Sequence, residues 1–80
     1  MLTHDQNHLM IITYIGRSKS ITLAGYLAHV KKELPNHYVD LWELSANLDI
    51  LLKYYESLEK YELCSRIHKL QIELDKKQNN

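Results

Sequence analysis

An all-α bundle of three to four helices, ending in an antiparallel helical hairpin, is the fold this sequence predicts. Three observations predict it. Leu41, Leu44, Leu48, Leu51, Tyr55 and Leu58 recur at intervals of 3, 4, 3, 4 and 3. Leu63, Ile67, Leu70 and Leu74 recur at 4, 3 and 4, one residue out of phase with the first series. Leu23, Leu27, Val30 and Leu34 repeat the 4, 3, 4 spacing further upstream. Apolar residues at these intervals lie on one face of an α-helix.

The first 16 residues are expected to form a helix from about His4 to Ile15. Thr3 with Gln6 three residues later fits a capping box, and Gly16 suits the position after the last turn. The apolar run Leu9–Ile15 is also compatible with a buried strand, being rich in β-branched and aromatic residues. No second strand is visible to pair with it, and an isolated strand is not viable, so helix is the expectation.

After a loop at Gly16-Arg17-Ser18-Lys19, Ser20 is the expected N-cap of a second helix reaching Leu34. Ala24 and Ala28 accompany its apolar stripe. Gly25 weakens the helix by somewhat under ~1 kcal/mol relative to Ala, which points to close packing against a neighbouring helix. Lys31 and Lys32 complement the dipole in the last turn, and Pro35 stops the helix.

The third helix begins near Leu41. Continuing its stripe beyond Leu58 would need apolar residues at 62, 65 and 69, but those are Glu62, Ser65 and Lys69. The one-residue slip to Leu63 turns the stripe by about 100°, so one straight helix cannot hold both stripes on a single partner. A turn near Glu59–Glu62 with the two helices folded back on each other resolves the slip. A single kinked helix is the alternative, because Glu59-Lys60-Tyr61-Glu62 contains neither Gly nor Pro. Residues 1–75 then form one helical domain, and 76–80 are expected to be a polar, frayed tail.

Eighty residues allow one modest core, with roughly 60–65% of the unfolded chain's surface buried on folding. Cys64 is the only cysteine, which excludes a disulfide within the chain and a cysteine-based metal cluster. Small scaffolds without such staples often gain stability from a partner, so a protein partner or self-association is expected. Ten basic and ten acidic residues cancel, which argues against a dedicated nucleic-acid coat. No apolar segment approaches the ~20 residues a bilayer requires, and no basic n-region precedes Leu9–Ile15. With a single unpaired cysteine, the cytoplasm is the expected compartment. Residues with AT-rich codons far outnumber Gly, Ala, Arg and Pro, which points to an AT-rich genome and a bacterial or phage accessory protein.

No reaction is specified. His4 and His8 share a helix face at i and i+4, but Asp5 stands where helical zinc proteases have Glu and no third ligand follows, so no metal is expected. His29, His37 and His68 are scattered, Cys64 reads as a small core or boundary residue, and no cofactor or small-molecule substrate is implied. Arg17, Lys19, Lys31 and Lys32 are candidates for a phosphate-binding patch if the first loop lies near the end of the second helix. That would support the alternative function, a nucleic-acid-binding accessory. The second helix offers Tyr26, His29, Lys31 and Lys32 but no Arg, Asn or Gln to read base edges.

Six tyrosines and Trp42, with no phenylalanine, are the least ordinary feature. Their apolar bodies and polar tips suit interfaces. Trp42, Ala46 and Ile50 follow one another at i, i+4 and i+8 off the main stripe, with Lys53 and Tyr54 beyond. Trp42, Ile50, Tyr54, Tyr55 and Tyr61 are therefore the expected partner-binding residues. The functional expectation is a non-enzymatic interaction module: a regulator, adaptor or assembly factor that binds a protein partner or itself.

The run Tyr61-Glu62-Leu63-Cys64-Ser65-Arg66-Ile67 resembles the second helix of the UVR-type hairpin, in its aromatic, Glu, two small residues and later aliphatic. The resemblance spans residues 54–74 and implies protein–protein contact and a turn near Lys60. His68 departs from the basic residue usual there. Ser45, Leu48 and Asp49 are similar to the signature of small sporulation phosphatases, also two-helix hairpins. Ala46 and Asn47 replace that signature's Gln and Glu, so phosphatase activity is not expected.

Overall fold

The computed structural model describes residues 4–78, with His4 by its backbone alone. Four helices account for it: α1 (His4–Arg17), α2 (Leu23–Glu33), α3 (Leu41–Ser57) and α4 (Tyr61–Gln78). Among the described residues there is no strand, and no helix is long and apolar enough to cross a membrane. The fold is a small all-α bundle. α3 and α4 pack along their length, and α1 contacts all three other helices.

The position of α1 explains why its strand-like sequence is helical. Ile11, Tyr14 and Ile15 are buried, at i, i+3 and i+4, while Met10 and Ile12 pack at the core margin. Each β-branched residue costs a few tenths of a kcal/mol of helix propensity, whereas burying an Ile contributes roughly 1.5–3 kcal/mol. Burial wins. Thr3, the expected cap, lies outside the described residues. The expected stop at Ile15 is corrected: α1 runs through Gly16 to Arg17, with the Ser18 amide bonding to the Tyr14 carbonyl at 3.0 Å.

The start of α2 is also corrected. Thr22, not Ser20, is the N-cap, its hydroxyl accepting from the Gly25 amide at 2.9 Å. Tyr14 decides this. Its hydroxyl accepts from the Thr22 amide at 3.2 Å and lies 3.1 Å from the Thr22 carbonyl, holding that residue extended. Ile21 and Tyr26, at the positions of a hydrophobic staple, are both buried. The α2 face turned inward is Leu23, Tyr26 and Val30; Leu27 is half-buried, and Ala24 and Ala28 are exposed.

The neighbour that Gly25 accommodates is the same tyrosine. A Cβ at Gly25 would collide with the Tyr14 hydroxyl and stand 2.9 Å from the Thr22 hydroxyl. At Gly16 a Cβ would meet nothing within 4 Å. The two glycines should therefore respond oppositely to alanine. Gly16→Ala is expected to raise stability by about 0.5–1 kcal/mol, and Gly25→Ala to lower it by about 1–3 kcal/mol, in chemical denaturation. In a Tyr14→Phe background the Gly25→Ala penalty should shrink, because the hydroxyl it strikes is gone.

α3 starts where the periodicity places it. Asp40 caps it, accepting from the Trp42 amide at 2.9 Å and the Glu43 amide at 3.4 Å. Leu44, Leu48 and Leu51 are buried, Leu41 and Tyr55 half-buried, and Leu58 exposed at the turn. On α4, Cys64, Ile67, Leu70 and Leu74 are buried and Leu63 half-buried. The helices are antiparallel about Leu58, with Cys64 Sγ 3.9 Å from the Leu52 carbonyl.

Glu59 makes the turn despite the absence of Gly or Pro. It takes φ 59°, the sole positive φ among described non-glycine residues. The Lys60 amide bonds back to the Tyr55 carbonyl at 2.9 Å and the Glu59 amide to the Glu56 carbonyl at 3.0 Å. These are the two bonds of a Schellman motif, whose left-handed position favours glycine. Glu59→Gly should raise stability by about 0.5–1 kcal/mol, the relieved strain exceeding the added unfolded-chain entropy; a lower denaturation midpoint would refute this reading of the turn. Beyond it, α4 continues through Asp75 to Gln78, and 79–80 lie outside the described residues.

Candidate protein-interaction surface

The off-stripe side of α3 stays uncovered in the folded chain. Trp42 is 80% exposed, Tyr54 56% and Ile50 46%, with Ala46 exposed between them. Their placement follows from the core. Leu44, Leu48 and Leu51 turn toward α1 and α4, which at about 100° per residue directs Trp42, Ala46 and Lys53 to the opposite side. Lys53 pairs with Asp49 at 3.3 Å on that side. Both side chains are mostly exposed, so the pair contributes little to stability.

Tyr61 is 68% exposed, on a second flank of the hairpin. With Leu52 and Glu56 of α3 and Cys64, Ser65 and His68 of α4 it lines an open groove of about 370 Å³. Tyr55 departs from the expected set. It belongs to the apolar stripe, packs at the core margin and touches Tyr54 edge-on, ring centres 5.3 Å apart. Burial, with Tyr54 adding to it, raises its hydroxyl pKa. Reading the residues by type missed Ile72 and Tyr38, which are exposed as well. Ile72 follows Tyr61, Ser65 and His68 on one α4 flank, a periodicity that could have shown it.

Two of the tyrosines are core rather than surface. Tyr14 and Tyr26 are buried and meet edge-to-face at 5.6 Å. Tyr26 keeps phase with Leu23 and Val30, and that spacing is the signal for its burial. Burial pushes its pKa up to about 12. An unfolded tyrosine titrates near ~10, so the unfolded chain loses the proton first. Stability is then intact below about pH 10 and falls as pH rises from about 10 to 12; Tyr26→Phe should flatten that part of a stability–pH curve.

The four cations expected as a phosphate patch are all exposed, and Arg17 shares a groove with His29 and Glu33 of α2. The loop carrying Lys19 leads into the start of α2, whereas Lys31 and Lys32 lie in its last turn. From Leu23 to Lys31 the helix rises about 12 Å. Lys31 instead shares a groove of about 380 Å³ with Tyr38, Leu41 and Lys77.

Among the described residues no three His, Cys, Asp or Glu side chains gather as metal ligands, and His4 enters only by its backbone. His29 sits against the Tyr14 ring at 5.8 Å. The most enclosed cavity, about 20 Å³, is bordered by Asn7, Tyr26, His37, Glu43 and Asn47 and holds no more than a water. Comparison of the chain with protein-family models, curated proteins and solved structures finds no match in any of the three.

Proposed function

We propose that the chain is a small helical protein-interaction module, a regulator, adaptor or assembly factor without catalytic activity of its own. It acts by binding a protein partner or itself through the outer face of the α3–α4 hairpin. One observation carries this reading. The single tryptophan and three further large apolar side chains, Ile50, Tyr54 and Tyr61, stand in solvent on one hairpin, while most of the chain's other large apolar residues fill a continuous core.

Exposing such groups forfeits burial worth roughly 25 cal/mol per Å² of apolar area. Tryptophan and tyrosine are also the side chains that contribute most when an interface closes over them. The UVR-type resemblance, which implies protein contact, covers this same hairpin.

Light scattering and affinity capture test the proposal together. Wild-type chain should either self-associate or retain a specific protein, and Trp42→Glu should abolish that association while Lys69→Glu, elsewhere on α4, leaves it intact. A chain that stays monomeric and retains nothing in a Trp42-dependent way would overturn the reading.

A further inference from the structure

We propose that the small cavity beside the start of α3 is a binding site for one internal water, held by Asn47 and Tyr26 at the junction of α1, α2 and α3. Asn47 carries the argument. It is 3% exposed, the sole buried side chain of polar or charged type among the described residues. It stands on the inward side of α3 with Leu44, Leu48 and Leu51, where the packing otherwise takes leucine. No described protein group hydrogen-bonds its carboxamide. A buried amide in that state forfeits the bonds it makes to water in the unfolded chain. Native cores meet such groups with a protein partner or with an ordered water.

The space that Asn47 borders fits that ligand. The cavity holds about 20 Å³, enough for one water and too little for a second. Ile11, Val30 and Leu44, all buried, supply its apolar walls. Tyr26, also 3% exposed, borders it too, and its hydroxyl likewise has no hydrogen-bond partner among the described residues. At the same cavity Asn7 donates to the Glu43 carboxylate at 2.5 Å, which leaves acceptor capacity on both side chains.

The surroundings also select the ligand's charge. Asn47 and Tyr26 can each donate and accept, whereas the Glu43 carboxylate can only accept. A cation would stand beside the positive end of the α3 dipole, and an anion beside Glu43. A neutral molecule that both donates and accepts suits every one of these groups, and water is the one of that size. Its neighbours come from three helices: Asn7 from α1, Tyr26 from α2 and Asn47 from α3. Asn47 lies about 140° around α3 from Trp42, so the site is separate from the proposed partner face and its test is independent of that reading.

Water ¹⁷O magnetic relaxation dispersion tests the site, because it registers waters held longer than the chain's nanosecond tumbling. The wild type should show one such water, with a cross-relaxation peak between water and the Asn47 Nδ2 protons. Asn47→Leu keeps the branched shape of the side chain and removes both polar atoms; it should abolish the dispersion. Tyr26→Phe keeps the ring and should shorten the residence time roughly fivefold, the effect of one lost hydrogen bond.

Thermal melts verify that the variants fold, and if Asn47→Leu does not, Tyr26→Phe decides. A wild type without a long-lived water, a dispersion that persists in folded Asn47→Leu, or a residence time unchanged by Tyr26→Phe would overturn the proposal. So would a melting temperature that rises in K⁺ or Na⁺ over choline at matched ionic strength, in the wild type and not in Asn47→Leu, since an ion would then occupy the site.

Discussion

Leu48→Ala is expected to cost about 3–4 kcal/mol, read as a drop in the denaturant midpoint with an unchanged slope. Leu48 is fully buried at the centre of α3, in the same core as Ile67 and Leu70. Truncating it removes transfer free energy and leaves a void that the packed helices cannot collapse into. Marginal stability of roughly 0.05–0.15 kcal/mol per residue gives a chain of this size only about 4–12 kcal/mol in total. The substitution thus consumes a large share of it, and partial unfolding at physiological temperature is expected. Ile50→Ala, two residues away on the exposed face, should change stability by less than about 1 kcal/mol. If the two positions responded alike, the assignment of α3's inward and outward faces would be wrong.

Arg66→Met is the second large effect, about 2–3 kcal/mol. The Arg66 guanidinium donates through Nη1 to the Ile15 carbonyl at 2.9 Å and the Ser18 carbonyl at 2.7 Å. Those acceptors end α1, where carbonyls lack partners within the helix and a cation meets the negative end of the dipole. Hydrogen bonds to a charged donor contribute about 1.5–3 kcal/mol, more than neutral ones. The ion pair with Glu62, at 3.8 Å and with the carboxylate mostly exposed, adds little. Methionine keeps most of the side chain's packing volume, so the loss isolates the polar tie. Hydrogen exchange should accelerate first in the last turn of α1, while a Glu62→Gln variant should leave it unchanged.

The hairpin was the most legible part of the chain because its evidence is periodic. The slip between Leu58 and Leu63 marks the turn that Glu59 makes, and the buried residues of α3 and α4 follow the two stripes. What escaped is long-range. Nothing local distinguishes Tyr14 as the residue that moves the α2 cap from Ser20 to Thr22, since its partner at Thr22 begins a different element. Gly25 announced a close neighbour without naming it. Arg66 looked like an ordinary helical cation, and its carbonyl acceptors are 48 and 51 residues away.

The surface was legible to the extent that it could be found by subtraction. Trp42, Ile50 and Tyr54 fall outside the stripe and are exposed; Tyr55 falls on it and is half-buried.

Trp42, as the single tryptophan, offers the most direct test of the claim that this face binds protein. Its emission and its quenching by iodide are to be measured on the dilute chain, then at rising chain concentration and with any Trp42-dependent partner added. The dilute chain should show solvent-exposed emission with free access to the quencher, and association should shift the emission to shorter wavelength and close that access. A complex in which Trp42 stays as accessible as in the free chain would contradict the account.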